Sequence, residues 1–117
     1  MCIAPDLDGA PALHSLRERL PPGVRGQFSH PRYLELTARD VDKARGLAAA
    51  CAALDLSPAQ LAAIGDAEND IAMLRMAGVA IAMGNATPAV IAAADRVTGT
   101  NARDGAAAAI DALLEAR

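Results

Sequence analysis

Between Gly65 and Asp70 the chain reads Gly-Asp-Ala-Glu-Asn-Asp, placing three carboxylates and a carboxamide in one short stretch. Asp66 falls where a short apolar run, Leu61-Ala62-Ala63-Ile64, ends. Asp70 falls in the first turn of the helical pattern that follows. Carboxylates this close repel one another unless a cation neutralises them. Hard oxygen donors suit Mg²⁺, and a helix N-terminus beside them suits a phosphate. The pattern describes a place for a metal-bridged phosphoryl group. The competing reading is local: Asp66 caps the helix and Asp70 complements its dipole.

Lys43 strengthens the first reading. Lysine and arginine together number 11, and Lys43 is the one lysine. Lysine is a compact point charge and arginine a planar fork, so a site built for one does not freely accept the other. On a solvated helix the same residue would carry no meaning. Lys43 precedes Asp66 by one helix and one strand. A right-handed crossover puts the start of that helix and the end of that strand at the same sheet edge. Lys43 can then face the acidic turn and offset phosphate charge.

Apolar spacing predicts the elements that position these residues. A helix is expected over Lys43 to Leu54, with Leu47, Ala50, Cys51 and Leu54 on one face. Ser57 caps a short turn with Pro58 at its first position. A buried strand (Leu61 to Ile64), a helix (Asn69 to Ala77) and a second strand (Val79 to Met83) follow. Gly84-Asn85 reads as a turn set by backbone geometry. Thr87 caps a helix running to Ala94, Asp95 to Thr98 is a short strand, and Asp104 starts a last helix with Ile110, Leu113 and Leu114 inward. Strands alternating with helices imply a parallel sheet covered by helices, whose ligands bind at the strand ends. The first 40 residues differ. Ala10 to Leu20 is a helix with Leu13, Leu16 and Leu20 inward. Val24 to Ser29 and Arg32 to Thr37 are strands joined at His30-Pro31, with Phe28 and Tyr33 in the core. His14 and His30 are surface residues.

Composition excludes several classes. Hydrophobic residues are 53% of the 117, against disorder, but 30 of them are alanine and aromatics are 2%. With so few large anchors the fold is expected to be marginal, or completed by a partner. The net charge of −3, with basic residues dispersed, leaves no nucleic-acid footprint. No stretch approaches the length of a membrane span, and the start lacks the features of a signal peptide. Cys2 and Cys51 suit a reduced, cytoplasmic protein.

The runs Gly-Asp-Ala-Glu-Asn-Asp-Ile-Ala-Met-Leu (65–74), Gly-Val-Ala-Ile-Ala-Met-Gly-Asn-Ala (78–86), Ala-Asp-Arg-Val-Thr (94–98) and Asp-Gly (104–105) resemble, in order and spacing, the C-terminal motif block of haloacid dehalogenase-like hydrolases. The branch they resemble is that of the Cof-type sugar phosphatases. The resemblance covers about half the chain and implies a Rossmann-like core, Mg²⁺, and transfer of phosphoryl groups through an aspartyl-phosphate. It makes Asp66 the metal ligand and Asp70 a support of the metal site, directly or through water. By the same resemblance, Lys43 and Asn69 would contact the phosphoryl group.

The family's nucleophile is the first aspartate of an N-terminal Asp-x-Asp-Gly-Thr motif. This chain offers Asp6-Leu7-Asp8-Gly9-Ala10, with alanine for threonine. No apolar strand ending in Ser or Thr follows to hold the family's second motif. Asp6 and Asp8 are candidates for catalysis, against a reading of the segment as an ordinary loop. The helix–strand–strand pattern resembles the tail of a Cof-type cap. The expected organisation is a cap remnant over 1–39 and the C-terminal half of the core over 40–117. The expected fold class is α/β: a partial Rossmann-like core with a parallel sheet and flanking helices, preceded by a short α+β remnant. The expected function is a Mg²⁺-dependent phosphatase of small phosphorylated metabolites. The alternatives are an inactive fragment, a binding or assembly domain that has lost its nucleophile, and one piece of a split enzyme. The partners implied are a small phosphorylated substrate, and a second copy or a complementing N-terminal chain, with neither nucleic acid nor membrane.

Overall fold

The computed structural model describes residues 1–116. The chain divides into two compact units, Met1–Asp42 and Lys43–Arg117.

The first unit holds β1 (Cys2–Ile3), α1 (Ala10–Glu18), β2 (Val24–His30) and β3 (Tyr33–Ala38). The strands form an antiparallel sheet in the order β1-β3-β2. Its core is Ala4, Leu13, Phe28 and Leu34. Phe28 also stacks on His14 at 4.4 Å between ring centroids. The sequence pattern held no sign of β1, because two residues are too few to show alternation. Tyr33 lies at the sheet's exposed end and Leu16 is exposed, so neither joins the core.

The second unit holds α2 (Lys43–Ala53), β4 (Ala62–Gly65), α3 (Ile71–Met76), β5 (Val79–Ala82), α4 (Pro88–Ile91), β6 (Arg96–Val97) and α5 (Gly105–Glu115). Single 3₁₀ turns occupy Pro58–Gln60, Glu68–Asp70 and Asn101–Arg103. The sheet is parallel, in the order β4-β5-β6. This is the α/β architecture that the alternating pattern implied.

Side chains alternate across each strand. One sheet face is therefore Ala63, Ala80 and Ala82, packed under Leu74 of α3 and Val90 of α4. Small residues on the strands let the helices approach, and the larger helix residues fill the space. The other face carries the buried Ile81 and lies under α5, whose Leu113 and Leu114 line a groove with Ala62 and Val79. Alanine richness thus has a packing reason. It also explains the misplaced face of the last helix: Gly105 and Ala109 are the buried residues of α5, while Ile110 and Leu114 are exposed. In α2 only Cys51 is fully buried, and Leu54 is 68% exposed.

Ser57 caps its turn as expected, its hydroxyl accepting from the Ala59 amide. Thr87 stands at the cap position of α4 but makes no side-chain capping bond, and that helix is shorter than its pattern suggested. No helix among the described residues is long and apolar enough to cross a membrane.

Candidate active site

The site begins with a glycine. β4 ends at Gly65, where a Cβ would lie 2.5 Å from Asp70 Cβ, closer than two carbon atoms can pack. Only glycine lets the Asp70 side chain fold back against the strand end. There Asp70 Oδ2 accepts hydrogen bonds from the backbone amides of Asp66 (3.0 Å) and Ala67 (3.1 Å). Asp70 Oδ1 accepts from the Lys43 ammonium. A buried carboxylate is stable only when paired and hydrogen-bonded, and Asp70 is both.

The strand-to-helix turn is therefore built around Asp70, which is 4% exposed. The sequence placed this residue in the first turn of a helix. It instead closes a 3₁₀ turn, Glu68–Asp70, and α3 starts one residue later.

Lys43 is the first residue of α2. A cation at a helix N-terminus is opposed by the helix dipole, and no acidic residue occupies the first turn of α2. Asp70 supplies the compensating charge from the neighbouring turn. The Lys43 side chain remains 48% exposed, so one N–H is committed inward and two remain to face outward. The structure thus joins Lys43 to the acidic turn, as the crossover argument expected.

Asp66 is exposed at the C-terminal end of β4. Its Oδ2 accepts from Asn85 Nδ2 at 3.4 Å, and Asn85 Oδ1 accepts from the Asn101 amide at 2.8 Å. Asn85 is thus part of the site and not merely of a turn. The neighbouring Gly84 has its own reason: a Cβ there would lie 2.9 Å from the Thr98 carbonyl oxygen. Asn69 is buried beside Asp70. The further polar residues of the motif block hold loops. Asp95 Oδ2 accepts from the Ala80 amide at 2.8 Å, and Thr98 Oγ1 donates to the Gly105 carbonyl at 2.7 Å.

Asp6 and Asp8 fall in the β1–α1 loop of the other unit. β1 pairs with β3 of the antiparallel sheet, so these aspartates do not follow a strand of the parallel one. Asp6 Oδ1 accepts from the Gly9 amide, three residues on, at 2.9 Å, a local side-chain-to-backbone bond of the kind Asp makes in loops. Among the described residues no group of three or more His, Cys, Asp or Glu is placed to hold a metal ion. As a donor set, an exposed carboxylate at a sheet edge fits Mg²⁺, which is commonly bound by one or two carboxylates, water and substrate phosphate. Asp66 meets that description.

Residues 6–110 match the model of the haloacid dehalogenase-like hydrolases. The chain belongs to this family. Within the haloacid dehalogenase-like hydrolases it matches the Cof-type sugar-phosphatase branch. A phosphoglycolate phosphatase of Haloarcula marismortui is 48% identical over 65 residues, covering 56% of this chain and 29% of that protein. The 5-amino-6-(5-phospho-D-ribitylamino)uracil phosphatase YcsE of Bacillus subtilis is 43% identical over 82 residues, covering 70% and 33%. A haloacid dehalogenase-like hydrolase from Bacteroides thetaiotaomicron superposes with a TM-score of 0.74 at 36% identity, over 95% of this chain and 42% of that one. The chain spans about a third of the length of the curated relatives it matches.

Proposed function

We propose that the chain supplies the metal- and phosphate-binding half of a Mg²⁺-dependent phosphatase acting on small phosphorylated metabolites such as sugar phosphates. One observation carries the reading. Asp70 is locked inward by Lys43 and two backbone amides, while Asp66 faces out at the strand end.

Asp66 would hold the metal. Bound there, Mg²⁺ would neutralise developing charge on the phosphoryl oxygens. Three of the roughly four lone-pair sites of Asp70 are taken by donors, and the residue is buried, which favours an indirect part for it over a direct metal bond. Asp70 acts indirectly: it aims the Lys43 ammonium and holds the turn rigid. Lys43 directs its remaining N–H donors to a phosphoryl oxygen, where fixed positive charge lowers the barrier to transfer. Asn69, on the same turn, contributes a carboxamide to the phosphoryl pocket. The first unit is read as the end of a cap.

None of these residues is a covalent nucleophile. The placement of Asp6 and Asp8 after an antiparallel strand, with Asp6 engaged on Gly9, favours a second reading for the chain by itself: a binding half that hydrolyses nothing until another chain brings the nucleophile. Hydrolysis of p-nitrophenyl phosphate, with and without Mg²⁺, tests both readings. The chain alone should show negligible turnover. Addition of a chain carrying an Asp-x-Asp-Gly-Thr strand should raise it. Strong Mg²⁺-dependent turnover by the chain alone, abolished in Asp6→Asn, would make Asp6 the nucleophile and overturn the reading.

A further inference from the structure

We propose that Asn85 is a positioning residue that fixes the direction of the Asp66 carboxylate and ties it to the loop entering α5. The inference rests on the reading of Asp66 as a metal ligand and goes beyond it, since nothing in that reading involves Asn85.

The amide of Asn85 has only one orientation available. The Asn101 backbone N–H is a donor, so the atom facing it at 2.8 Å must be the carbonyl oxygen Oδ1. The NH₂ group is then turned to Asp66, and it donates to Oδ2. Asn85 therefore cannot flip without losing both bonds. On the Asp66 carboxylate this is the one hydrogen bond among the described residues. An exposed aspartate has free rotation about two side-chain bonds, and a single N–H donor on one oxygen selects among those rotamers. The other oxygen is left for a ligand.

The second bond has its own structural logic. Asn101 opens the 3₁₀ turn Asn101–Arg103, and Thr100 before it makes no side-chain capping bond. The first N–H groups of a helical turn lack internal acceptors, and Asn85 Oδ1 provides one from another loop. The β5–α4 connection thus bridges the end of β4 and the start of the α5 connection through one carboxamide. Groups that orient a ligating side chain typically contribute 10- to 100-fold to metal affinity. At 3.4 Å and in an exposed setting, Asn85 belongs at the low end.

Two measurements on the full chain decide it. In the metal-free protein, nuclear magnetic resonance should show that Asp66→Ala shifts the Asn85 side-chain NH₂ resonances and the Asn101 amide, relayed through the carboxamide. Unmoved resonances would overturn the proposal whether or not metal binds. In calorimetric titration with Mg²⁺, Asn85→Ala should weaken binding by about tenfold. Mg²⁺ should also shift the Asn101 amide in wild type but not in Asn85→Ala, a response that a merely structural role would not produce. Affinity lost in Asp66→Ala but unchanged in Asn85→Ala would overturn the Asn85 proposal and leave the metal site standing. Affinity unchanged in both would remove the metal site itself, with the metal-free resonances still deciding the contact.

Discussion

Asp70 and Lys43 divide one charge interaction between a buried and a half-exposed side chain. The energy of such a pair lies mainly in the buried partner's hydrogen bonds, because water screens the exposed end. Asp70→Asn keeps an oxygen for the two amides but removes the charge that holds Lys43. We expect a loss of about 1–3 kcal/mol, read as a lower urea midpoint at unchanged slope. Lys43→Arg should instead leave stability nearly as it is and weaken vanadate binding in the presence of Mg²⁺, because a planar fork cannot reproduce a compact ammonium at the same point. Unchanged vanadate affinity would return Lys43 to the surface. The involvement of Lys43, Asp66 and Asp70 was legible in the sequence, since residue type, rarity and order along a βαβ unit are all one-dimensional facts. The division of labour between the two aspartates was not. It depends on which carboxylate turns inward, and that is decided by the missing Cβ of Gly65. Asn85 was not legible either: its partners Asp66 and Asn101 lie 19 and 16 residues away, and no local pattern records such a contact.

At the scale of elements, the turn between β4 and α3 is the unit that must not change. Gly65→Ala places a methyl group 2.5 Å from Asp70 Cβ, so either the strand end or the aspartate has to move. The expected outcome is a lower melting temperature together with loss of vanadate binding, because the Lys43–Asp70 contact is broken with it. A variant that retains both would mean that the turn has more room than its geometry allows. Periodicity gave the strands and helices of the second unit to within a few residues, because alternating apolar runs and Gly or Pro stops are strong local signals. It misassigned the buried face of α5. There the large residues line an open groove beside the sheet and Ile110 and Leu114 stay exposed, while the buried residues are Gly105, whose backbone lies against that of Gly99, and Ala109. In an alanine-rich fold, closeness of approach takes the place of side-chain bulk.

At the scale of the molecule, the parallel sheet ends on β4, and β4 carries Asp66 at its tip. Parallel strands are ordinarily buried among neighbours, and an outer strand presents unpaired N–H and C=O groups that invite pairing. We expect the chain to self-associate, with a molar mass in solution above that of one chain, and to exchange self-association for a one-to-one hetero-complex when a complementing chain with its own parallel strand is added. A stable monomer at all concentrations would contradict this. The most direct test of the account concerns the metal. Calorimetric titration of Mg²⁺ into wild type and Asp66→Asn should show weak binding to the first and a clear loss in the second, since the substitution removes the exposed carboxylate at the strand end. Equal affinities for the two proteins would contradict the account at its centre.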